Sequence, residues 1–216
     1  MSCVNVNVFK PFVAPEVNRC PSALVMNAIR EKVIDFCGRT LAWQEELLPI
    51  NAKSGKHTYE LQAPEATRIE SLITVRHNRL LVDFISESSL DADDDTDWRT
   101  QTNSQAKGYY QPTPRQIRLV YTPDTTVTDG IEVNAALKPI PGGHLLSEDV
   151  FNDYYAIIAA GAKSQLMGMP DKSWSSAGMA GTYFSMYEEG IREASGKVER
   201  QNQRNNQTAG RTTVYY

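Results

Sequence analysis

The sequence predicts an α+β fold in which helices near both ends of the chain pack together against a mainly antiparallel β-domain. Two observations support this. Apolar residues recur every three or four positions within residues 22–48 and 147–194, which is typical of amphipathic helices. Between residues 50 and 140 apolar and polar residues alternate instead, and turn-forming pairs separate the runs, as in antiparallel strands.

Residues 1–21 are predicted to form an extended N-terminal arm or edge strand, because Pro11 and Pro15 interrupt them and valines alternate with polar residues near the start. A single domain over residues 22–196 then begins with a helix opened by Ser22. Gly38 is expected to end it, and one or two further helical turns are expected before Pro49, up to residue 48. The apolar face of this helix comprises Val25, Ile29, Val33 and Phe36.

The β-region is predicted to contain short strands separated by turns. The last two are expected to form a hairpin, because Asp129-Gly130 supplies the backbone freedom that a turn needs. The predicted strands are 57–62, 68–76, 79–85, 116–121 and 131–138.

Two further helices are predicted at 147–168 and 172–194, with Ser147 as the N-cap of the first. Small residues cluster on both, so we expect a closely packed antiparallel hairpin. Gly181 is placed at its centre, facing Ala159–Ala162, on a stripe that also contains Trp174, Ala177, Phe184 and Ile191.

Residues 197–216 are predicted to be an extended docking tail. Between Gln201 and Gln207 every residue except Arg204 is Asn or Gln, so this stretch has no apolar residue with which to join a core. The sequence then reads Val214-Tyr215-Tyr216. A polar tether followed by an aromatic tip favours attachment to another chain.

Composition excludes several classes of function. The net charge is −4 and no basic block occurs, so a nucleic-acid-binding surface is not expected. No apolar run approaches the ~20 residues of a membrane-spanning helix. The first residues do not resemble a secretory signal, and three cysteines without Cys-x-x-Cys spacing favour synthesis in a reducing cytoplasm.

An acidic run provides the main alternative, a small calcium-dependent binding module. Its acids fall at the first four odd positions of a calcium loop: Asp91, Asp93, Asp95 and Asp97. However, Thr96 replaces the glycine of such a loop and Thr102 replaces its bidentate glutamate. A solvated loop without metal is therefore the preferred interpretation.

No catalytic site is predicted. The Lys163-Ser164 pair resembles the end of a phosphate-binding loop, but Ala162 replaces the required glycine and the segment lies within a predicted helix. The three histidines lack partners at metal-binding spacing, and no nucleophile elbow occurs. A hydrolase whose site matches no motif remains a third interpretation.

Two groups of residues resemble the head-to-tail adaptor (head-closure or connector) family of tailed bacteriophages. The match spans roughly residues 22–195, and its specificity lies in the order and spacing of the pieces. The first group is Ala28–Cys37, Thr40, Trp43, Leu48-Pro49-Ile50 and Tyr59-Glu60-Leu61. The second is Leu137-Lys138-Pro139, Ile158, Gly161-Ala162, Leu166, Met169-Pro170, Lys172, Trp174, Ala177 or Ala180, Phe184, Gly190-Ile191 and Ala194.

The resemblance implies a structural virion protein, made in the host cytoplasm, with neither catalytic residues nor cofactors. Copies would form a ring, typically of twelve, between the portal and a tail or collar protein. Genomic DNA would pass through the lumen without sequence-specific binding. Family members often dock on the portal through an extended C-terminal segment, which implies a portal-binding role for Arg204, Arg211, Val214, Tyr215 and Tyr216.

Overall fold

The computed structural model of the protein describes residues 2–92 and 98–209, with side chains described as far as Arg204. The chain divides into two compact units. The helical unit comprises residues 1–43, 65–68 and 137–204, and the β unit is built from residues 44–64 and 69–136. Helices and antiparallel sheets are both present, so the predicted α+β class is confirmed.

The described elements are short strands and five α-helices. The helices are α1 (Lys10–Val13), α2 (Ser22–Thr40), α3 (Glu87–Ala92), α4 (Glu148–Met167) and α5 (Ala177–Ala209). The strands are β1 (Cys3–Asn5), β2 (Gln44–Glu46), β3 (Ile50–Ala52), β4 (Thr58–Glu60), β5 (Thr67–His77), β6 (Leu80–Val82), β7 (Thr102–Asn103), β8 (Gly108–Thr113), β9 (Gln116–Val120), β10 (Thr122–Pro123), β11 (Val127–Pro139) and β12 (Leu145–Ser147). None of the helices in the described part of the chain is long and apolar enough to cross a membrane.

A strand is present at residues 3–5, as the alternating valines predicted, but helical turns follow it, so the prediction of an extended arm over the rest of residues 1–21 is wrong. Strand β1 pairs antiparallel with β12, and α1 follows between two 3-10 turns. Both prolines lie at the first positions of helical turns, where a missing N–H costs nothing. Four side chains spaced at three or four residues are buried by this arrangement: Val6, Phe9, Val13 and Val17.

Helix α2 begins at Ser22 as predicted, and its four predicted core residues are all buried. It continues through Gly38 to Thr40, whose hydroxyl donates to the Phe36 carbonyl over 2.8 Å. Leu41 then adopts a left-handed conformation (φ 54°) and ends the helix. The helical turn predicted to extend to residue 48 is therefore wrong, since residues 44–46 form strand β2.

The β unit contains two main sheets. In the first, the strand order is β2-β11-β5-β6, and β3 also pairs with β11. In the second, the order is β4-β9-β8. The predicted hairpin between residues 116–121 and 131–138 is wrong, because β9 and β11 belong to different sheets. Strand β9 pairs instead with β8, a strand that was not predicted from the sequence.

Helix α4 lies close to its predicted limits. Ser147 is its N-cap residue, as predicted, but its side chain makes no capping hydrogen bond. The Glu148 N–H is instead bonded to the Ser2 carbonyl over 3.1 Å. The pairing of β1 with β12 therefore brings a backbone carbonyl to this N–H group, which a side-chain cap would otherwise have to satisfy.

Helix α5 begins later and ends later than the predicted helix over 172–194. It continues to Ala209, so the extended backbone predicted from residue 197 is wrong for residues 197–209. Gln has a good helix propensity and Asn a lower one, and here both extend a helix that packed residues have already nucleated. Of the predicted tail, residues 210–216 lie outside the described part of the chain.

Candidate interaction surfaces

Helices α4 and α5 form the predicted antiparallel pair, but a different face of α5 makes the contact. A Cβ atom built on Gly161 would lie 2.7 Å from the Tyr187 ring, and one on Gly190 would lie 2.6 Å from Ile157. Lys197 also binds Asp153 over 2.8 Å. The missing side chains of the two glycines therefore let the helix backbones approach closely.

Gly181 does not lie in this contact, and its predicted central role is wrong. A Cβ at that position would meet no atom within 4 Å. Phe184, on the same predicted stripe, is 55% exposed. Ile191 is the one residue of the predicted stripe that is buried, so the predicted phase of α5 is wrong over most of its length. The buried positions are Tyr187, Gly190, Ile191, Ala194 and Val198.

Polar contacts with α2 fix the rotation of α5 about its axis. The Tyr187 hydroxyl donates to the Asp35 carboxylate over 2.8 Å, and burial raises the pKa of this phenol. Arg39 donates through both terminal nitrogens to Glu188 at 2.7 Å, and this bidentate bond lowers the pKa of the Glu188 carboxyl. Because both partners are about one-third exposed or more, the ion pair contributes at most ~1 kcal/mol.

The C-terminal part of α5 presents a polar surface. Among the side chains described, Val198 is the last that is buried, and residues 199–204 are exposed apart from a half-buried Asn202. Arg204, one of the predicted portal-binding residues, is exposed at the end of this stretch. The other four, Arg211, Val214, Tyr215 and Tyr216, lie outside the described residues.

An apolar groove of about 520 Å³ opens on the helical unit between the N-terminal turns, α4 and α5. Its exposed aromatic and methionine side chains are Phe12 (41%), Tyr155 (39%) and Met186 (53%). Phe12 packs against Tyr155 with 4.8 Å between ring centroids and 47° between ring planes. The rings are therefore held in place before any partner binds.

The polar groups of the groove neutralise one another. Lys163 binds Glu16 over 2.5 Å, and the Tyr183 hydroxyl donates to the same carboxylate. The hydrogen bond from Lys163, followed by that from Tyr183, lowers the pKa of Glu16. Lys163 belongs to the false phosphate-loop signal, and its place within α4, paired with Glu16, agrees with rejecting that motif.

The β unit has its own exposed apolar segment. Among its described residues, the large hydrophobic side chains that are more than one-third exposed are Leu48, Leu80, Leu81 and Phe84. Three of these four lie within residues 80–84. Phe84 is 61% exposed, and its ring contacts the edge of Tyr109 with centroids 5.8 Å apart.

The acidic run is only partly described. Asp91, at the end of α3, binds Arg99 over 2.7 Å and accepts a hydrogen bond from the Trp98 ring nitrogen over 3.1 Å. The bond from Arg99 lowers the pKa of Asp91. This carboxylate is therefore engaged within its own loop. The remaining calcium-ligand candidates, Asp93, Asp95 and Asp97, lie outside the described residues.

The histidines do not converge on a common site. His77 is buried, and its Nδ1 accepts a hydrogen bond from the Ala106 N–H over 3.1 Å. His57 contacts the Thr58 hydroxyl over 2.7 Å in a different sheet. Across residues 2–92 and 98–209, no group of three or more His, Cys, Asp or Glu side chains is placed to hold a metal ion.

The described features are a closely packed helix pair, an apolar groove and a long polar helix end. A sequence model of the SU10 adaptor protein family matches residues 12–213, and the chain belongs to this family of phage head-to-tail adaptors. It is therefore a structural component of a phage virion that interacts with portal and tail proteins. No curated protein sequence matches the chain significantly.

The groove was missed by the sequence analysis. Its wall includes the N-terminal turns, which were interpreted as an arm because of their prolines. The spacing of Val6, Phe9, Val13 and Val17 is a helical signal that could have indicated a folded segment. The second wall of the groove includes Tyr183 and Met186 of α5. It was not predicted, because the sequence was interpreted with a different face of α5 in contact with α4.

Proposed function

We propose that the protein assembles into a dodecameric ring that joins the portal to the tail and continues the DNA channel. Membership of the adaptor family over residues 12–213 is the observation that supports this most directly. The net charge of −4 is compatible with a DNA channel, because phosphate neutralisation by basic residues would retard passage of the genome. DNA would then pass through the lumen without sequence-specific binding.

In this proposal the C-terminal end of each copy docks on the portal. The exposed end of α5 leads to the segment that contains Val214, Tyr215 and Tyr216, with Arg204 and Arg211 as flanking cations. Tyrosine and arginine are enriched at the energetically dominant positions of protein interfaces. The polar residues between them would keep the segment soluble before it docks.

The test removes residues 205–216. Since residues 199–204, which precede the deleted segment, are exposed apart from a half-buried Asn202, the truncated protein should keep its thermal unfolding midpoint. Its binding to the purified portal of the same phage should fall by about tenfold or more. Loss of folding, or unchanged portal binding, would contradict the docking role.

A finer pair of variants separates the aromatic tip from the rest of the segment. Tyr215→Ser with Tyr216→Ser should weaken portal binding, whereas Thr212→Ala with Thr213→Ala in the same segment should not. Ring formation and its copy number are measured independently by native mass spectrometry and electron microscopy. Particles with a copy number other than twelve would refute the dodecamer.

A further inference from the structure

We propose that His77 is a pH-sensitive switch within the β unit, in which a proton on its ring releases residues 104–106 from the hairpin formed by β5 and β6. The strands on either side of this segment stay paired, so the change is local. The switch concerns the β unit alone and does not depend on the proposed ring.

The turn between β5 and β6 holds this segment by hydrogen bonds. The Asn78 side-chain amide donates to the Ser104 carbonyl over 2.8 Å, and the Gln105 side-chain amide donates to the His77 carbonyl over 2.9 Å. The Ala106 N–H donates to Nδ1 of the His77 ring over 3.1 Å. Of these three bonds, only the last has an acceptor that takes up a proton near neutral pH, so the attachment depends on the charge of His77.

The bond from Ala106 fixes the protonation state of the His77 ring. A backbone N–H only donates, so Nδ1 accepts with its lone pair and the ring is the neutral tautomer that carries its hydrogen on Nε2. His77 is 1% exposed, and within the described part of the chain Nε2 has no hydrogen-bond partner. A protonated ring would point a second N–H at Ala106 and would bury a positive charge. The closed segment and the protonated ring therefore exclude each other.

The charged groups around His77 do not compensate for a buried imidazolium. Burial lowers the pKa of His77, and it is the sole cause of the shift among the described residues. The charged side chains on the surrounding elements are Arg76 and Arg79 on the hairpin, Lys107 after the segment, and Asp129 and Glu132 on β11. Arg76 and Glu132 pair with each other at 3.9 Å, and Lys107 lies over the Tyr121 ring. Arg79 and Asp129 are exposed, so solvent screens their charges.

Strand pairing on both sides confines the change to the segment. Before it, β7 pairs with β10, and after it, β8 pairs with β9, through backbone bonds that do not involve the His77 ring. The Lys107 N–H donates to the Val120 carbonyl over 3.0 Å and so attaches the end of the segment to the second sheet. The hairpin also keeps its own pairing, because His77 faces Leu80 through the main chain. Release of the segment therefore leaves both sheets paired.

Acid should favour the released form. There the ring contacts water, and its pKa returns towards the ordinary value of ~6.5, above the pKa of the closed form. The released form therefore binds the proton more tightly than the closed form does. Its population relative to the closed form should rise about tenfold for each pH unit below ~6.5, until the closed form itself is protonated.

Hydrogen exchange followed by mass spectrometry tests the switch in the full-length protein. After correction for the intrinsic pH dependence of exchange, protection of residues 104–107 should fall about tenfold or more between about pH 7 and about pH 5, and that of β11 less than about twofold. His77→Asn places an amide oxygen near the position of Nδ1, where it can accept from Ala106 but cannot titrate, so this variant should lose the pH dependence. His144→Asn, at an exposed histidine of the helical unit, is the matched control and should keep it.

NMR of the wild type gives a second measurement that needs no variant. At neutral pH the nitrogen shifts of the His77 ring should show a hydrogen on Nε2 and none on Nδ1, and protonation of the ring should be accompanied by loss of the hydrogen-bonded shift of the Ala106 amide. A hydrogen on Nδ1 at neutral pH, or a protonated ring with an unchanged Ala106 amide, would overturn the inference. So would protection that does not fall with pH, that falls equally in His77→Asn, or that is lost together with the protection of β11, since the last result would indicate global unfolding.

Discussion

Placing a methyl group on Gly161 tests the contact between α4 and α5. The added Cβ would lie 2.7 Å and 2.9 Å from two atoms of the Tyr187 ring, whereas ordinary contacts begin at 3.4 Å. Tyr187 is 1% exposed and its hydroxyl is bonded to Asp35, so the ring has little freedom to move aside. Overpacking of this kind costs ~1–3 kcal/mol, and the better helix propensity of alanine returns ~1 kcal/mol.

Gly161→Ala should therefore lower the free energy of unfolding by about 1 kcal/mol. Gly181→Ala is the matched control, since its Cβ meets nothing within 4 Å and only the propensity gain of ~1 kcal/mol remains. For a chain of this size the two variants should differ in Tm by ~4–8 °C, with shifts of opposite sign. Thermal unfolding followed by far-ultraviolet circular dichroism measures this difference.

Gly190→Ala provides an independent check from the other side of the contact. Its Cβ would lie 2.6 Å from an Ile157 methyl group, so it should resemble Gly161→Ala rather than Gly181→Ala. If Gly161→Ala and Gly190→Ala were as stable as Gly181→Ala, the helices would not approach as closely as described, and the reasoning would be refuted.

Three further predictions concern titration and ligands. Burial lowers the pKa of His77 in the folded chain, so the stabilisation from its neutral ring is complete above pH ~6.5 and is lost as the pH falls through the pKa of the folded state. Urea unfolding should show a free energy of unfolding that declines over this pH range, and His77→Gln should reduce the decline. Burial raises the pKa of the Cys37 thiol to about 12, so a thiol reagent should modify the exposed Cys3 rapidly and Cys37 only after unfolding. Because Asp91 is already bonded to Arg99, adding Ca²⁺ after chelator treatment should leave the Tm unchanged, and a Ca²⁺-dependent rise would favour the binding-module alternative.

The sequence by itself determined the α+β class, the family resemblance and the main helices. Apolar spacing located the core of α2 correctly, since Val25, Ile29, Val33 and Phe36 are all buried. These features depend on the spacing of apolar residues within one segment, which can be recognised without knowing what the segment packs against. The strand from Thr67 to His77 was predicted for the same reason.

Only the tertiary structure decided which segments meet. The sequence did not show that β9 pairs with β4 and β8 rather than with β11. Strand pairing depends on how side chains pack in the folded protein and not on the order of strands along the chain. The phase of α5 was ambiguous, since small and aromatic residues occur on more than one of its faces, and contact with Tyr187 and Gly190 selected one. The groove and the exposed segment at residues 80–84 likewise exist only once neighbouring elements have left them uncovered.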